Sequence, residues 1–594
     1  MSRAAKPPTG KAARPQLDLA APHVLREYAF LADGHRGALL GPRGDIGWLC
    51  VPEWDGGGIF SALIGGRGAY QVTPRVPYVW GGSYEQGTLI WRSRWVTHEG
   101  VIECREALAY PGRPDYVVLL RRLVAVDCPA RADVLLRPRA DYDQAPVRRW
   151  REVDGLWLGS AGGLRLRWSG AAAARPVGGG ALGMRLDLPV GEHHDLVLEI
   201  ATGELPDRPP PAEAAWHDTQ AAWQRALPAL EVRAPQDAAH SFAVLLGMSG
   251  PGGTVAAATT SLPERSGDNR NYDYRYVWMR DQCFVGHAAA ACSAEPLLDA
   301  SVRTVAHGLL EHGDRLAPAY TVRGEPVPEP AHLPLAGYPG GYDVVGNPVR
   351  TQFQLDVFGE ALLLFAAAAR LDRLDDDAWK AAEIAADAAA RRWQQPDSGI
   401  WEIEPRPWTH SRLIVAAGLR AIATAAPRRS AGRAGEWVTL ADRIVSDTAR
   451  RALHRDGHWQ RAPRDAATDA ALLFAGIREA VSPDDPRTAA TLTAYLRELT
   501  VDGYAYRYRH DSRPLHEAEG SFLLCGFATA LALFQQRRPT SAVSWFERTR
   551  AACGPPGLFS EEYDSHQHQM RGNLPQAFVH ALMIETSAAL SSVD

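Results

Sequence analysis

Two textures of apolar and polar positions divide the chain. From about Leu25 to about Ile200 apolar residues alternate with polar ones in short runs. Examples are Ala69 to Val72, Thr88 to Trp91, Tyr116 to Leu120 and Leu196 to Ile200, with Gly, Pro and Asp clusters between them. Period-two runs at this spacing predict an antiparallel β-sandwich. A Pro-rich link follows, Pro206 to Pro211, and Ala212 to Leu227 carries Ala, Trp and Gln at helical spacing. After Pro235 apolar residues recur every three and four positions in long Ala/Leu-rich segments: Asp237 to Met248, Cys283 to Ala294, Phe358 to Leu371, Asp375 to Gln394, Ser411 to Ala425, Trp437 to Leu453, Ala466 to Ala480, Phe522 to Gln536 and Gln576 to Leu590. They predict an all-α region of paired helices. The expected organisation is a disordered tail over 1–22, a β-sandwich over 23–204, a linker with one helix over 205–234 and a helical domain over 235–594.

The segment from Asp375 shows how such a helix places chemistry. Its acidic start suits the positive end of the helix dipole, and Pro396 and Gly399 stop it. Trp401 and Glu402 then fall in the loop beyond, where a rigid scaffold carries functional groups.

Length supports more than one domain, since 594 residues exceed what a single core organises. A net charge of −5 gives no basis for binding nucleic acid or an anionic membrane, and no stretch is long and apolar enough to span a bilayer. The seven cysteines are scattered, form no CxxC and cannot all pair within one chain, which predicts free thiols in a reducing cytoplasm. The basic, Pro-rich N-terminus lacks the apolar run of a secretory signal. A cytoplasmic protein is therefore expected; its oligomeric state stays open.

Candidate chemistry concentrates in NYDYRYVWMRDQCF, Asn271 to Phe284. Tyr272, Tyr274, Tyr276 and Trp278 are interleaved with Asp273, Arg275, Arg280 and Asp281. Flat rings offer apolar faces to sugar C–H groups, and Asp and Arg offer the directional hydrogen bonds that hydroxyls need. Preceded by TTSLPE (259–264), this stretch resembles the signature of glycoside hydrolase family 15, which comprises glucoamylases, bacterial trehalases and related exo-acting α-glucosidases. Matches in the family's order also lie at GDIGWLCVPEWD, QFQLDVFGEAL, SGIWE, EGSFLLC, SEEYD and GNLPQAF. The resemblance implies an N-terminal sandwich, a linker helix and a C-terminal (α/α)6 barrel with the active site at its loop-lined mouth.

Glycoside hydrolysis needs a carboxylic acid to protonate the leaving oxygen and a carboxylate to activate water or attack the sugar. The resemblance carries the general acid to Glu402, directly after Trp401, whose ring could desolvate the carboxyl; Glu404 is the close rival. It carries the general base to Glu561, with Glu562 as the alternative one register away. It also implies that Arg280 and Asp281 hydrogen-bond the terminal glucose, with Tyr274, Trp278, Trp401 and Arg507 beside it. Asp356 matches a family position in which helix capping or packing competes with sugar contact. The His566-x-His568 pair has no partner ligands at recognisable spacing, and glycines 178–180 and 252–253 lack the Lys-Ser/Thr of a phosphate loop. Neither a metal nor another cofactor is expected. Departures from the family pattern at Tyr272, Val277 and Arg412, and the segment Gly337 to Asn347, put the leaving group in doubt. The expected activity is inverting, exo-acting hydrolysis of an α-glucosidic oligosaccharide or disaccharide of maltose or isomaltose type. The alternatives are a trehalase, a disaccharide phosphorylase and a carbohydrate-binding protein with a dead site.

Overall fold

A computed structural model describes residues 21–267, 270–426 and 431–593. The tail expected over 1–22 lies almost wholly outside them. Two antiparallel eight-stranded sheets form the N-terminal part. One runs Ala29–Ala32, Gly37–Gly41, Asp45–Val51, Ala69–Pro74, Ala130–Arg137, Ala181–Leu188 and Arg175–Gly178, with Gly57–Phe60 paired to Asp45–Val51. The other runs Arg151–Val153, Leu156–Ala161, Leu164–Ser169, His193–Ala201, Tyr116–Ala125, Val101–Leu108, Trp91–Thr97 and Tyr78–Tyr84. In Trp91–Thr97, Trp91, Ser93 and Trp95 are buried while Arg92, Arg94 and Val96 are exposed, the alternation a half-buried strand requires. The two inner faces meet in a core that includes Leu40, Tyr70, Trp95, Leu119, Val134 and Trp168.

Helix α1 (Ala212–Ala226) follows the Pro-rich link and lies against the second sheet, with Trp216 and Trp223 buried. The helical part comprises α2 (Pro235–Met248), α3 (Met279–Ala291), α4 (Glu295–His312), α5 (Asp356–Arg370), α6 (Asp376–Arg392), α7 (Thr409–Ala425), α8 (Ala431–Ala452), α9 (Phe474–Ile477, entered through a 3-10 turn at Ala470–Leu473), α10 (Pro486–Glu498), the single turn α11 (Leu515–Ala518), α12 (Leu523–Gln535), α13 (Pro539–Arg550) and α14 (Ala577–Ala589). Helices α3, α5, α7, α9, α12 and α14 touch in that order, and α14 returns to α3. This closed inner ring, with α4, α6, α8, α10, α13 and α2 outside it, is an (α/α)6 barrel. Inner helices are buried on nearly every face, as in α12, whereas α6 buries an Ala/Trp379 stripe and turns Asp, Lys and Glu outward. Where α5 crosses α7 the backbones come so close that a Cβ on Gly418 would lie 2.4 Å from the Gly359 carbonyl oxygen.

The segment Ala466 to Ala480, expected as one helix, is helical only from Ala470 to Ile477. Tertiary contacts override its periodicity: the Ala470 N–H donates to the Arg507 carbonyl, the Asp469 carboxylate caps the Ala471 N–H, and Glu479 adopts φ 59°. The sandwich docks on the barrel through a shared core. The Trp48 indole donates to the Ala258 carbonyl (2.9 Å), and Arg275 Nη1 donates to the Tyr142 hydroxyl (2.6 Å) and the Gly56 carbonyl (3.1 Å).

Candidate active site

A cavity of about 190 Å³ opens at the barrel mouth where α3, α12 and α14 begin. The stretch before α3 is extended, so successive side chains face opposite ways. Tyr272 and Tyr274 line the cavity, and Asp273 and Arg275 form a buried ion pair behind it (2.7 Å). Only part of the aromatic and charged stretch thus serves the site; Asp273, Arg275 and Tyr276 fasten it to its surroundings. Trp278, Arg280 and Asp281 return to the cavity as α3 starts. Arg280 donates from Nη1 to Gln354 (2.9 Å) and lies 3.6 Å from Asp281. Burial raises the Asp281 carboxyl to about 6 despite that cation.

Glu402 reaches the same cavity from the loop after α6. Asp397 organises this loop: it accepts from the Gly399 N–H (2.9 Å) and the Ser411 hydroxyl (2.7 Å) and pairs with Arg412. Arg412, one of the departures from the family pattern, therefore sits beneath the loop and does not line the cavity. Gly399 is left-handed (φ 64°), with Trp408 packed 2.8 Å from where a Cβ would stand, and Glu402 is left-handed as well (φ 57°). Such a backbone is costly for a non-glycine residue and persists only where its surroundings impose it. The Trp278 indole (2.6 Å) and Arg280 Nη2 (3.2 Å) both donate to Glu402 Oε1. Trp401, expected to act on Glu402, lines the cavity but turns its indole N–H to Asp469 (2.7 Å). Glu404 lies outside, more than half exposed and paired with Arg406 (2.8 Å).

Glu561 and Glu562 enter a small antiparallel sheet in which Phe522 pairs with Glu562 and Glu562 with Arg571. Alternation sends the two carboxyls to opposite sides. Glu561 lines the cavity, whereas Glu562 is buried behind it, accepting from the Gly520 N–H (2.9 Å) and Arg507 (3.4 Å). Burial, reinforced by the neighbouring Glu264 carboxylate, pushes the Glu561 carboxyl well above the usual range. Arg507 lines the cavity with its guanidinium over Phe522 (4.5 Å) and also pairs with Glu519. All eight residues expected at the site therefore border one cavity.

A model of the family described as "Glycosyl hydrolases family 15" matches residues 239–588. The chain belongs to this family. It is a glycoside hydrolase. A second model, "Trehalase-like, N-terminal", matches residues 17–204 of the family 15 chain. The trehalase of Mycobacterium tuberculosis is 28% identical over 620 residues, covering 94% of this chain and 88% of that protein. The trehalase of Mycolicibacterium smegmatis is 28% identical over 614 residues, covering 94% and 90%. A bacterial glucoamylase solved with acarbose superposes with a TM-score of 0.68 over 96% of this chain and 94% of its own, at 13% identity, a likeness of fold.

Glu264, Gln352, Tyr508, His510 and Phe522, none of them among the expected site residues of this family 15 enzyme, also line the cavity. Phe522, Glu264 and Gln352 lie inside family motifs; Tyr508 and His510 stand in a loop whose course no periodicity reveals. Asn347, the last residue of the unusual 337–347 segment, borders the cavity, and the Gly337 N–H donates to Ile64 of the sandwich (3.0 Å). His566 stacks on His516 (4.5 Å) and His568 lies 3.2 Å from the Tyr563 hydroxyl. Among the described residues no helix is long and apolar enough to cross a membrane.

Below the cavity Asp356 and Glu360, one turn apart on α5, are fully buried, and no described residue hydrogen-bonds their carboxyl oxygens. Burial pushes each to about 7, against a partial offset from nearby arginines. The folded chain keeps these protons over a range in which the unfolded chain has released them. Their stabilising contribution is complete below the ordinary carboxylate range and is lost as pH rises through about 7. The thermal midpoint of the wild type should therefore fall further between about pH 5 and pH 8.5 than that of Glu360→Gln. Calorimetry at both pH values checks this; equal falls would show that Glu360 does not carry the dependence.

Proposed function

We propose that this chain hydrolyses α,α-trehalose by single displacement with inversion. Glu402 acts as general acid and Glu561 as general base. The observation that carries the reaction is that Glu402 and Glu561, from remote loops, line one small cavity together with Arg280, Asp281, Tyr274, Trp278 and Trp401. A cavity of about 190 Å³ is small beside the roughly 300–1,000 Å³ of ordinary ligand pockets. It suits one glucosyl unit held on several sides, hence exo-action. Both donors to Glu402 reach Oε1, which leaves Oε2 to carry the proton. In the reaction Glu402 protonates the glycosidic oxygen, the C1–O bond breaks, and water attacks C1 from the opposite face while giving its proton to Glu561.

The maltose- or isomaltose-type substrate expected from the motifs yields first place to trehalose. The likeness to trehalases runs through the N-terminal part as well as the barrel. The likeness to glucoamylase, at 13% identity, bears on fold alone.

Proton NMR of the first products tests this reading. Inversion at one C1 of α,α-trehalose gives one β-glucose, and the departing unit keeps its α-configuration. Equal amounts of α- and β-glucose should therefore appear before mutarotation. Initial α-glucose alone would replace inversion by retention. Faster turnover of maltose or isomaltose would return the substrate to the glucoamylase type, and phosphate-dependent release of glucose 1-phosphate would make the enzyme a phosphorylase.

A further inference from the structure

Glu264 closes the TTSLPE run and is buried on the cavity wall beside Glu561. One glycine sets their juxtaposition. The Gly572 N–H donates to the Pro263 carbonyl (3.0 Å), tying the Gln569–Arg571 strand, which pairs with the Glu562 strand, to the segment carrying Glu264. A Cβ on Gly572 would lie 3.5 Å from Glu561 Cβ, 3.6 Å from Glu561 Oε2 and 3.7 Å from Glu264 Cγ. Gly572 is left-handed (φ 77°), which disfavours a side chain there, and both glutamates pack within van der Waals reach of the place a Cβ would occupy. Each carboxyl acts on the proton affinity of the other. Glu561 Oε2, enclosed at this contact, receives no N–H or O–H donor from the described residues.

The charges around the pair are unequal. Glu264 lies 3.9 Å from Arg270 and 3.8 Å from Arg507. Glu519 and Glu562 stand behind Arg507. Glu561 has Arg507 as its cation, and Glu402, Tyr272 and Tyr274 as its other titratable neighbours across the cavity. Burial raises the Glu264 carboxyl against the offset of its two arginines, but less than Glu561 is raised, so Glu264 is the better placed to stay ionised and Glu561 then faces a negative charge.

We propose that Glu264 is a positioning residue for Glu561: its carboxylate, held by Arg270 and Arg507, orients the Glu561 carboxyl and strengthens it as a proton acceptor. An isolated carboxylate is a weak base toward water. One facing a second carboxylate binds the proton more strongly, and is ionised only at higher pH. As the water oxygen bonds to C1, its proton passes to Glu561, and the new Glu561 O–H donates to Glu264. Product release returns that proton to solvent. The inference rests on Glu561 being the base.

The test combines pH profiles of kcat/KM with an infrared titration of the substrate-free protein. In Glu264→Gln the acid limb should move down by about one pH unit or more, and the plateau should fall, because the like charge is gone. Glu264→Asp keeps the charge and should keep the limb near the wild-type position, which guards against a mere folding defect. The protonated-carboxyl band that disappears in Glu561→Gln should titrate at lower pH in Glu264→Gln. Reduced activity with both limb and band unmoved would overturn the proposal, leaving Glu264 a structural residue. A band that moves while the limb stays would support the coupling of Glu264 to Glu561 and refute Glu561 as the base.

Discussion

Glu561→Gln and Glu402→Gln should each lower trehalose turnover by roughly 10²–10⁴-fold, the usual scale of a lost general acid or base. They should differ in how the loss depends on the leaving group. Glucose leaves poorly without protonation, so Glu402→Gln should be slow on trehalose yet recover much of its rate on an aryl α-glucoside, whose phenolate departs unaided. Glu561→Gln cannot activate water and should be slow on both. Steady-state kinetics with the two substrates decides the roles. Recovery by Glu561→Gln in place of Glu402→Gln would exchange acid and base. Near-normal activity of Glu402→Gln would pass the acid role to Glu404, against its exposure and its pairing with Arg406.

Arg507→Met should cause the largest loss of stability. Arg507 pairs with Glu519, lies 3.4 Å from Glu562 and 3.8 Å from Glu264, and all three carboxyls are buried. Removing the cation strands like charges in a low-dielectric wall. Breaking a buried ion pair costs roughly 3–5 kcal/mol. Burial alone would push Glu519 up, but Arg507 and His510 outweigh it and hold its carboxyl below the ordinary range. In the wild type its contribution is present above that range and lost as pH falls through its folded-state value. In the variant the sign reverses, since an uncompensated buried carboxyl favours its proton. The gap in thermal midpoint between wild type and variant should therefore widen from about pH 5 to pH 8. A gap independent of pH would mean that Arg507 acts through packing on Phe522 and Trp401 instead of through charge.

Helix α6 and the strand Ala69–Pro74 were readable because one face of each is buried along its length, which imprints a period on the sequence. Helices α5 and α7, buried on nearly every face, were readable by the length of their apolar runs, whereas the run Thr88 to Trp91 only leads into the strand Trp91–Thr97. Helices α4, α10 and α13 were not singled out. In α13 only Ala542, Phe546 and Thr549 are buried, too few to mark a stripe. The turn at Gly399 to Glu402 was legible as a loop, but its left-handed backbone and the hand-over of Glu402 to Trp278 and Arg280 were not. Those features depend on Trp408, Asp397 and the start of α3, none of them a chain neighbour of Glu402.

By itself the sequence determined which residue types the chain has at its disposal and where its periods change. Those are local properties: alternation makes strands, the three-and-four repeat makes helices, and the ordered motifs carry the family resemblance. It left Glu561 and Glu562 as two neighbouring candidates one register apart. Which of the two meets the cavity only the tertiary structure decided, because that depends on the pairing of Glu562 with Phe522 and Arg571. The same holds for bringing Glu402 to the cavity that Glu561 lines and for seating Glu264 against Glu561. Closure of six inner helices into a ring fixes distances between segments far apart in the chain, and no local pattern encodes such distances.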